Sequence, residues 1–247
     1  MDNMVMEPYI ILQARMGSKR LPGKAMKRIS DKPIIGILID RLKEAEIPIL
    51  LATSTNAEND DLVHYVESLG VRTFRGSEDN VLERFYFASK CIDANIIIRL
   101  TGDNVLIDGN FVRSNYERYI QAYDERTYLS TSLSQTFPVG MSVEIFSSLL
   151  LEEAYKNASL PDELEHVTPY MYNDTSRNIK ILKVRRDIPK HNYRLTIDTR
   201  EDFELIRELI EKFSCEKKRM DEIISVLDGN YGLALMNKET SQKKWNE

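Results

Sequence analysis

A basic, glycine-containing loop early in the chain carries side chains suited to binding a polyanion. Residues 9–12 are apolar, and residues 13–24 read Gln-Ala-Arg-Met-Gly-Ser-Lys-Arg-Leu-Pro-Gly-Lys. Six Lys or Arg and no Asp or Glu occur from Arg15 to Arg28, although the formal net charge of the chain is −5. Because glycine lets the backbone turn tightly, main-chain N–H groups can point at phosphate oxygens while the cations neutralise them. The segment therefore predicts a polyphosphate site; the alternative is a solvated basic turn.

The spacing within this loop excludes two common phosphate-binding sequences. A P-loop has four residues between its glycines and Ser or Thr directly after its Lys. Here five residues separate Gly17 from Gly23, and Ala25 follows Lys24. The Gly-x-Gly-x-x-Gly pattern of dinucleotide-binding proteins does not occur in the sequence. The loop is therefore of a third kind.

Two aspartates follow apolar segments that have the pattern of buried strands. Asp103 comes after residues 96–100, and Asp198 comes after residues 193–197. Open α/β sheets bind ligands at the carboxyl ends of their strands, so neighbouring strands would direct both carboxylates into one crevice with the basic loop. Mg²⁺ prefers one or two carboxylates together with phosphate oxygens and water. We therefore expect Asp103 and Asp198 to bind Mg²⁺; the alternative is that each caps the following helix.

Strand-like and helix-like segments alternate along the chain, which favours a mainly parallel sheet with helices on its faces. Periodicity and capping signals predict helices at 34–46, 58–69, 81–93, 108–123, 148–157, 162–172, 199–213 and 218–227. Apolar runs predict strands at 9–12, 49–53, 71–74, 95–100, 179–184 and 193–197, with strand-like pieces between 128 and 146. The helix at 162–172 has to accommodate Pro169. We expect one domain over residues 1–237 and a polar tail over 238–247.

Composition restricts the class of protein. With 247 residues, of which 42% are hydrophobic and 30% charged, the chain can bury a core beneath a soluble surface. No apolar stretch reaches the roughly 20 residues that cross a bilayer, and residues 1–7 lack the features of a signal peptide. Cys91 and Cys215 are expected as buried free thiols, which suits a cytoplasmic location. The acidic balance argues against nucleic acid as a partner, so we predict a cytoplasmic protein with neither nucleic-acid nor membrane partner.

Five segments of the sequence together resemble the cytidylyltransferases. They are residues 13–24, residues 76–84 (Gly-Ser-Glu-Asp-Asn-Val-Leu-Glu-Arg), residues 101–108 (Thr-Gly-Asp-Asn-Val-Leu-Ile-Asp), residues 165–170 (Glu-His-Val-Thr-Pro-Tyr) and residues 196–202 (Thr-Ile-Asp-Thr-Arg-Glu-Asp). The first resembles sugar nucleotidyltransferases, and the others resemble the spore-coat polysaccharide cytidylyltransferase type, a relative of the CMP-Kdo and CMP-sialic acid synthetases. The resemblance runs from Tyr9 to Leu209, and Val105 stands where we would expect Pro.

This resemblance implies a fold and an activity. The implied fold is a three-layer α/β/α arrangement with a mixed, mainly parallel sheet, the nucleotide-diphospho-sugar transferase (glycosyltransferase A-like) fold. The implied activity is transfer of CMP from CTP to a sugar with release of pyrophosphate. Arg15 and Lys24 would be catalytic, holding the triphosphate and stabilising the departing pyrophosphate, while Asp103 and Asp198 would ligate Mg²⁺. The residues expected around the nucleotide are Gln13, Ala14, Gly17, Ser18, Lys19, Ser77, Arg84 and Gly102, with Ser77 and Arg84 near the base and ribose.

The acceptor is inferred by analogy to be a small keto-sugar acid of the sialic or legionaminic kind, activated for a surface polysaccharide. Gly140, Glu144 and His166 are candidate contacts on the acceptor side, and His166 is either an acid or base or a structural residue. The acceptor carboxylate would need a cation. The choice is open among Arg99, Lys190 and Arg194.

Two other functions are alternatives. A glycosyltransferase of similar fold would consume a nucleotide sugar, but such enzymes usually carry an Asp-x-Asp triplet, which the sequence lacks. A non-catalytic nucleotide sensor could keep the basic loop, yet the presence of both Asp103 and Asp198 beside Arg15 and Lys24 argues against it. Association into a homodimer is also left open.

Overall fold

The computed structural model describes residues 7–240. Its strands are β1 (Pro8–Gln13), β2 (Arg28–Ile29), β3 (Lys32–Pro33), β4 (Ile49–Ser54), β5 (Arg72–Gly76), β6 (Ile96–Thr101), β7 (Thr127–Ser130), β8 (Glu144–Ser147) and β9 (Lys180–Lys183). Its α-helices are α1 (Ile34–Lys43), α2 (Asp60–Ser68), α3 (Val81–Cys91), α4 (Gly109–Gln121), α5 (Ser148–Asn157), α6 (Pro161–His166), α7 (Pro169–Tyr172), α8 (Arg200–Phe213), α9 (Met220–Gly229) and α10 (Tyr231–Leu235). The predictions about the amino-terminal segment and most of the polar tail fall outside the described residues.

A seven-stranded mixed sheet forms the centre of the fold, in the order β5-β4-β1-β6-β8-β7-β9. Strands β5, β4, β1 and β6 are parallel, β8 runs antiparallel to both β6 and β7, and β9 is parallel to β7. Strand β1 lies between β4 and β6, so the chain leaves it in one direction and later returns on its other side. A crevice at the carboxyl ends of the strands is expected at such a switch point.

Two hydrophobic cores separate the sheet from its helical layers. Side chains alternate along β1, so that Ile10 and Leu12 belong to one core and Ile11 to the other. Helices α1, α2, α4, α8 and α9 contribute to the first core, and α3, α5 and α7 to the second. The predicted mixed, mainly parallel sheet with helices on its faces is confirmed.

Local capping signals give the helix ends correctly. The Asp108 carboxylate accepts a hydrogen bond from the Phe111 N–H at 2.8 Å, and Thr199 with Asp202 forms the predicted capping box of α8. Gly70 follows α2 with φ +76°, a left-handed conformation that glycine adopts without strain. These positions depend on contacts between residues a few positions apart, and sequence patterns therefore predict them well.

Two predicted elements are wrong. Residues 193–197 are extended but do not join the sheet; a single bridge from Val139 to Arg194 is their strand-like contact. The predicted helix at 162–172 is two helices, α6 and α7, and Pro169 is the first residue of the second, where its missing N–H costs no helical hydrogen bond. Val167, at the break between them, has φ +71°.

Cys91 is exposed at the end of α3, in contrast to the prediction, whereas Cys215 is buried as predicted. Amphipathic periodicity did not distinguish the exposed cysteine from the buried one. Cys91 is the last residue of α3, where the buried face of the helix ends. None of the helices in the described part of the chain is long and apolar enough to span a bilayer.

Candidate functional site

Lys24 lies between the two predicted metal-binding carboxylates. Its ammonium nitrogen donates hydrogen bonds to Oδ2 of Asp103 at 3.0 Å, to Oδ1 of Asp198 at 2.9 Å and to the Ile197 carbonyl at 2.8 Å. Gly23, with φ +67°, turns the basic loop so that Lys24 begins a short 3-10 helix beneath the carboxyl ends of the strands. The side chains of Lys24, Asp103 and Asp198 therefore meet at one place, which we call the crevice.

Asp103 and Asp198 reach this crevice by different routes. Asp103 follows β6 by two residues, and its Oδ1 accepts a hydrogen bond from the Thr101 hydroxyl at 2.6 Å. Asp198 arrives on the extended segment that failed to join the sheet. The backbone N–H of Ile197 donates to the Asp103 carbonyl at 3.0 Å, which fixes the two segments side by side.

A buried ion pair holds Asp198 from behind. Arg194 is 8% exposed and Asp202 is 0% exposed. The Arg194 guanidinium donates to Oδ1 of Asp202 at 2.8 Å and to Oδ2 of Asp198 at 2.8 Å. Asn237, from the residues after α10, donates to the Arg194 carbonyl at 3.0 Å and to Asp202 at 2.8 Å. This side-chain set orients Asp198 before any ligand arrives.

The carboxylates and cations of this crevice stabilise one another's charge. Burial alone would lower the pKa of Lys24, but Asp103 and Asp198 outweigh burial and raise it above its ordinary value of 10.5. Burial alone would raise the pKa of Asp198, but Lys24, Arg20 and Arg194 lower it below its ordinary value of 3.8. Lys24 is therefore cationic and Asp198 anionic at neutral pH.

The pair Asp103 and Asp198 fits a divalent cation. Their oxygens converge on one cationic atom, the nitrogen of Lys24, so the two carboxylates already share a single positive charge. Two carboxylates leave the other positions around Mg²⁺ for water and substrate phosphate. Within residues 7–240, no group of three or more His, Cys, Asp or Glu is arranged to hold a metal ion. A metal in the crevice would therefore depend on this pair together with the substrate.

The basic loop is shaped by backbone contacts and by side chains of three residues outside it, Glu58, Asn59 and Glu78. Arg15 forms an ion pair with Glu78, and the Met16 N–H donates to the Asn59 side chain at 2.9 Å. A Cβ atom on Gly17 would lie 2.7 Å from the Glu58 carboxylate. Asn59 and Glu58 belong to the turn before α2. No local pattern identified them, whereas Glu78 lies inside the segment 76–84 that carried the resemblance.

The remaining loop residues differ in their hydrogen bonding and solvent exposure. The Ser18 N–H donates to the Met16 carbonyl at 2.8 Å, which tightens the turn. Lys19 is exposed, as is the Arg20 side chain at 43%, although Arg20 reaches Asp198 at 3.2 Å. Both cations are thus accessible to a ligand entering the crevice.

Gly102 allows β1 and β6 to end close together. Its N–H donates to the Gln13 carbonyl at 2.7 Å, and a Cβ atom at this position would lie 2.7 Å from Cβ of Ala14. Any larger residue would separate the basic loop from Asp103. The structure thus gives Gly102 a packing role beside the predicted nucleotide site.

Arg84 is buried with unused hydrogen-bond donors. It is 0% exposed, and its Nη1 donates to the Ser77 carbonyl at 2.6 Å. Its Nε and Nη2 have no hydrogen-bond partner among residues 7–240. Burial lowers the pKa of Arg84 to about 10, with the neighbouring Arg15 and Arg99 contributing to the decrease and Glu78 opposing it. Leaving buried donors unpaired is costly, so this site favours a ligand that supplies acceptors.

The three candidate acceptor-side residues make contacts within the protein that the sequence did not indicate. Gly140 has φ +100°, and a Cβ atom there would lie 2.5 Å from the Leu195 backbone, so it serves close packing. Glu144 is 7% exposed, and both of its oxygens accept hydrogen bonds from protein side chains. His166 is one-third exposed and lies 3.6 Å from the Asp162 carboxylate. Of these three, the structure leaves only the imidazole of His166 accessible to a ligand.

All three cations proposed for the acceptor carboxylate are already paired. Arg99 pairs with Glu144, Lys190 with Asp228, and Arg194 with Asp202 and Asp198. Arg99 and Arg194 are also buried. The structure therefore weighs against each of them as the first contact of a diffusing acid.

Comparison with known proteins identifies the family of this chain. A family model described as cytidylyltransferase matches residues 9–226. The spore coat polysaccharide biosynthesis protein SpsF of Bacillus subtilis is 32% identical over 232 residues, covering 89% of this chain and 93% of that protein. A 3-deoxy-manno-octulosonate cytidylyltransferase of Bartonella tribocorum is 35% identical over 106 residues, 40% of this chain and 42% of that protein.

One solved structure resembles nearly the whole chain. A cytidylyltransferase from Leptospira borgpetersenii superimposes with a TM-score of 0.87 at 31% identity, covering 97% of this chain and 100% of that one. The nucleotide-diphospho-sugar transferase fold expected from the sequence is confirmed.

Proposed function

This chain belongs to the cytidylyltransferase family, and from that premise we propose that it transfers CMP from CTP to a hydroxyl group of a small sugar acid. The family membership makes it a CTP-dependent nucleotidyltransferase. The acceptor, the metal and the residue roles are the proposed parts. The acceptor oxygen forms a bond to the α-phosphorus while the bond from that phosphorus to the oxygen bridging to the β-phosphate breaks. Pyrophosphate leaves, and the hydroxyl proton passes to water.

The observation that carries this proposal is the convergence of Lys24, Asp103 and Asp198 beside the basic loop. A triphosphate bound there meets cations at the loop and two carboxylates that can share a divalent ion with it. In phosphoryl and nucleotidyl transfer the protein mainly positions groups and neutralises developing charge. A site with that composition supports nucleotidyl transfer better than nucleotide sensing.

The residues of the loop would hold and stabilise the leaving group. Arg15 and Lys24 would donate hydrogen bonds to the phosphate oxygens on which negative charge grows as pyrophosphate departs. Lys24 has to leave Asp103 and Asp198 to do so. Mg²⁺ held by those carboxylates would supply Lewis-acid neutralisation of the phosphate charge.

Recognition of the base is assigned to Arg84. Cytosine presents two adjacent acceptors, O2 and N3, whereas uracil presents an N–H donor at position 3. Nε and Nη2 of Arg84, which have no hydrogen-bond partner among residues 7–240, are donors only. Because Arg84 is 0% exposed, the residues that cover it would have to move for a base to reach these donors, and a guanidinium reached in this way would favour CTP over UTP.

The proposed acceptor is a keto-sugar acid such as 3-deoxy-manno-octulosonate or a sialic or legionaminic acid, used for a surface polysaccharide. The named activity of the Bartonella relative and the polysaccharide role of SpsF support this class. Lys19 and Arg20 are exposed cations of the basic loop, and Arg20 reaches Asp198; they are the proposed partners of the acceptor carboxylate. The reaction consumes CTP, which supports the cytoplasmic location predicted from the sequence.

A substrate panel assayed for pyrophosphate release with Mg²⁺ tests the proposal. CTP, UTP, ATP and GTP would each be combined with 3-deoxy-manno-octulosonate, N-acetylneuraminate and legionaminate. Release from CTP with one of these acids is the expected result. Turnover of a UDP-sugar would instead indicate a glycosyltransferase, and tight CTP binding without turnover of any acid would indicate a sensor.

A further inference from the structure

A chain of polar side chains, buried except for the half-buried Gln13, runs across three strands of the sheet from Gln13 to Thr168. The strand register pairs Ile11 with Arg99 and Arg99 with Glu144. Since side chains alternate along a strand, Gln13, Arg99 and Glu144 lie on the same face of the sheet, the one that α3, α5 and α7 cover. We call Gln13, Arg99, Glu144 and Thr168 the buried polar chain.

Every link of the buried polar chain is a hydrogen bond between side chains. The Arg99 Nη2 donates to the Gln13 amide oxygen at 3.3 Å, and its Nη1 donates to Oε2 of Glu144. Oε1 of Glu144 accepts from the Thr168 hydroxyl at 2.6 Å and from the Tyr128 hydroxyl. Arg99 and Glu144 are each 7% exposed, Thr168 is 2% exposed and Tyr128 is 0% exposed. Charges buried this deeply persist only when hydrogen bonds satisfy them, so the links are mutually dependent.

The far end of this chain holds the segment that carries His166. Val167 has φ +71°, a conformation that is strained for a β-branched residue. Its persistence requires support from neighbouring structure. The Thr168 hydroxyl bond to Glu144 supplies that support, and the Tyr172 ring adds to it by stacking on Tyr128 with centroids 5.8 Å apart.

The near end lies in the proposed nucleotide site. Gln13 is the last residue of β1, directly before the basic loop. Arg99 keeps one N–H, on Nε, without an acceptor in the part of the chain that the structure describes. A nucleotide that binds the Gln13 amide would therefore compete with the long hydrogen bond from Arg99. The Nε–H of Arg99 is available to form a new hydrogen bond if that bond breaks.

We propose that the buried polar chain couples nucleotide binding at Gln13 to the position of His166. This coupling rests on the proposed function, because the ligand is the CTP bound at the basic loop. Arg99, Glu144 and Thr168 are positioning residues in this scheme, and none of them contacts the acceptor. The consequence is ordered binding: the acceptor-side segment takes its working position only once the nucleotide is bound.

Histidine NMR tests the coupling without any acceptor. The chain has three His residues, so ring resonances of selectively labelled protein can be assigned with a His166→Gln variant. Isothermal titration calorimetry measures CTP affinity in parallel, with Mg²⁺ present in both experiments. The wild-type protein is expected to show a CTP-dependent shift of the His166 ring signals.

Thr168→Val removes one hydroxyl at nearly constant volume, and Thr127→Val is the matched control. Thr127 is also buried, but its hydroxyl has no hydrogen-bond partner among residues 7–240. We expect Thr168→Val to bind CTP within about threefold of wild type yet to lose at least half of the His166 shift. Thr127→Val should keep the full shift, and Thr168→Ser, which retains the hydroxyl, should restore it.

Three results would overturn the coupling. One is a full His166 shift in Thr168→Val, and another is an equal loss in Thr127→Val, which would mean that any change in this core suffices. The third is normal CTP binding by the wild-type protein with no shift of His166. Absence of CTP binding by the wild-type protein would overturn the proposed function and the coupling with it.

Discussion

The ammonium of Lys24 lies 2.9 Å from the carboxylate of Asp198, although 174 positions separate the two residues in the sequence. The same ammonium lies 3.0 Å from the Asp103 carboxylate. Lys24 thus supplies the positive charge that the two aspartates require. A bound divalent ion would take over that role and release Lys24 toward phosphate.

Replacing Lys24 with Ala should abolish most of the turnover while leaving the fold intact. Loss of one preorganised charge donor typically reduces turnover by about 10²–10³-fold. Pyrophosphate release from CTP measures the effect, and circular dichroism checks the fold. Lys27→Ala removes the same charge from the adjoining segment, where no side-chain ion pair forms within residues 7–240, and should stay near wild type. Wild-type rates in Lys24→Ala would remove Lys24 from the mechanism.

Asp103→Asn and Asp198→Asn should each raise the Mg²⁺ concentration needed for half-maximal activity. Mg²⁺ coordinates an amide oxygen less strongly than a carboxylate oxygen, and we expect at least a tenfold increase. Mn²⁺ binding followed by electron paramagnetic resonance in the presence of CTP gives a readout that does not depend on turnover. Asp31→Asn, an exposed carboxylate with no side-chain partner in the described chain, is the control. Unchanged Mn²⁺ affinity in both site variants would contradict the metal assignment.

The ionised Asp198 should stabilise the fold above the acidic range and lose that effect below it. Its pKa in the folded protein is lower than the ordinary 3.8 because Lys24, Arg20 and Arg194 outweigh burial. The stabilisation is therefore fully present above about pH 5 and is lost as the pH falls through the lowered folded-state pKa. Urea unfolding of wild type and Asp198→Asn at pH 7, 4 and 3 tests this. The stability difference should shrink with acidification, and a difference that grows would reverse the sign of the argument.

Arg84→Met should weaken CTP binding without a matching loss of stability. Hydrogen bonds to a charged donor contribute about 1.5–3 kcal/mol each, so we expect affinity to fall at least tenfold. The free enzyme loses little, because a buried guanidinium with unpaired donors is replaced by an apolar side chain of similar length. Calorimetric titration with CTP and UTP, beside thermal unfolding, separates the two effects. Equal affinity of the variant and wild type for CTP would remove Arg84 from base recognition.

Several structural features could be predicted from local sequence. The bounds of α5, residues 148–157, agree with the prediction, and the caps at Asp108 and Thr199 form as expected. Such features depend on contacts between residues a few positions apart. The segment 193–197 shows the opposite case, since its apolar alternation resembles a strand but its strand-like pairing is a single bridge from Arg194 to Val139. Whether an apolar run joins a sheet depends on a distant partner.

The sequence by itself determined the fold class, the basic loop and the two aspartates, because each is carried by residue types at short spacing. Only the tertiary structure decided which charges meet. It placed Lys24 between Asp103 and Asp198, paired Arg15 with Glu78, and gave two donors of Arg84 no partner within the described chain. It also paired Arg99 with Glu144 and Arg194 with Asp202, both buried, so neither arginine is available to bind the carboxylate of an acceptor. The physical reason is that these pairings follow the order and register of the strands, and strand order brings together residues whose separation in sequence carries no signal of their proximity.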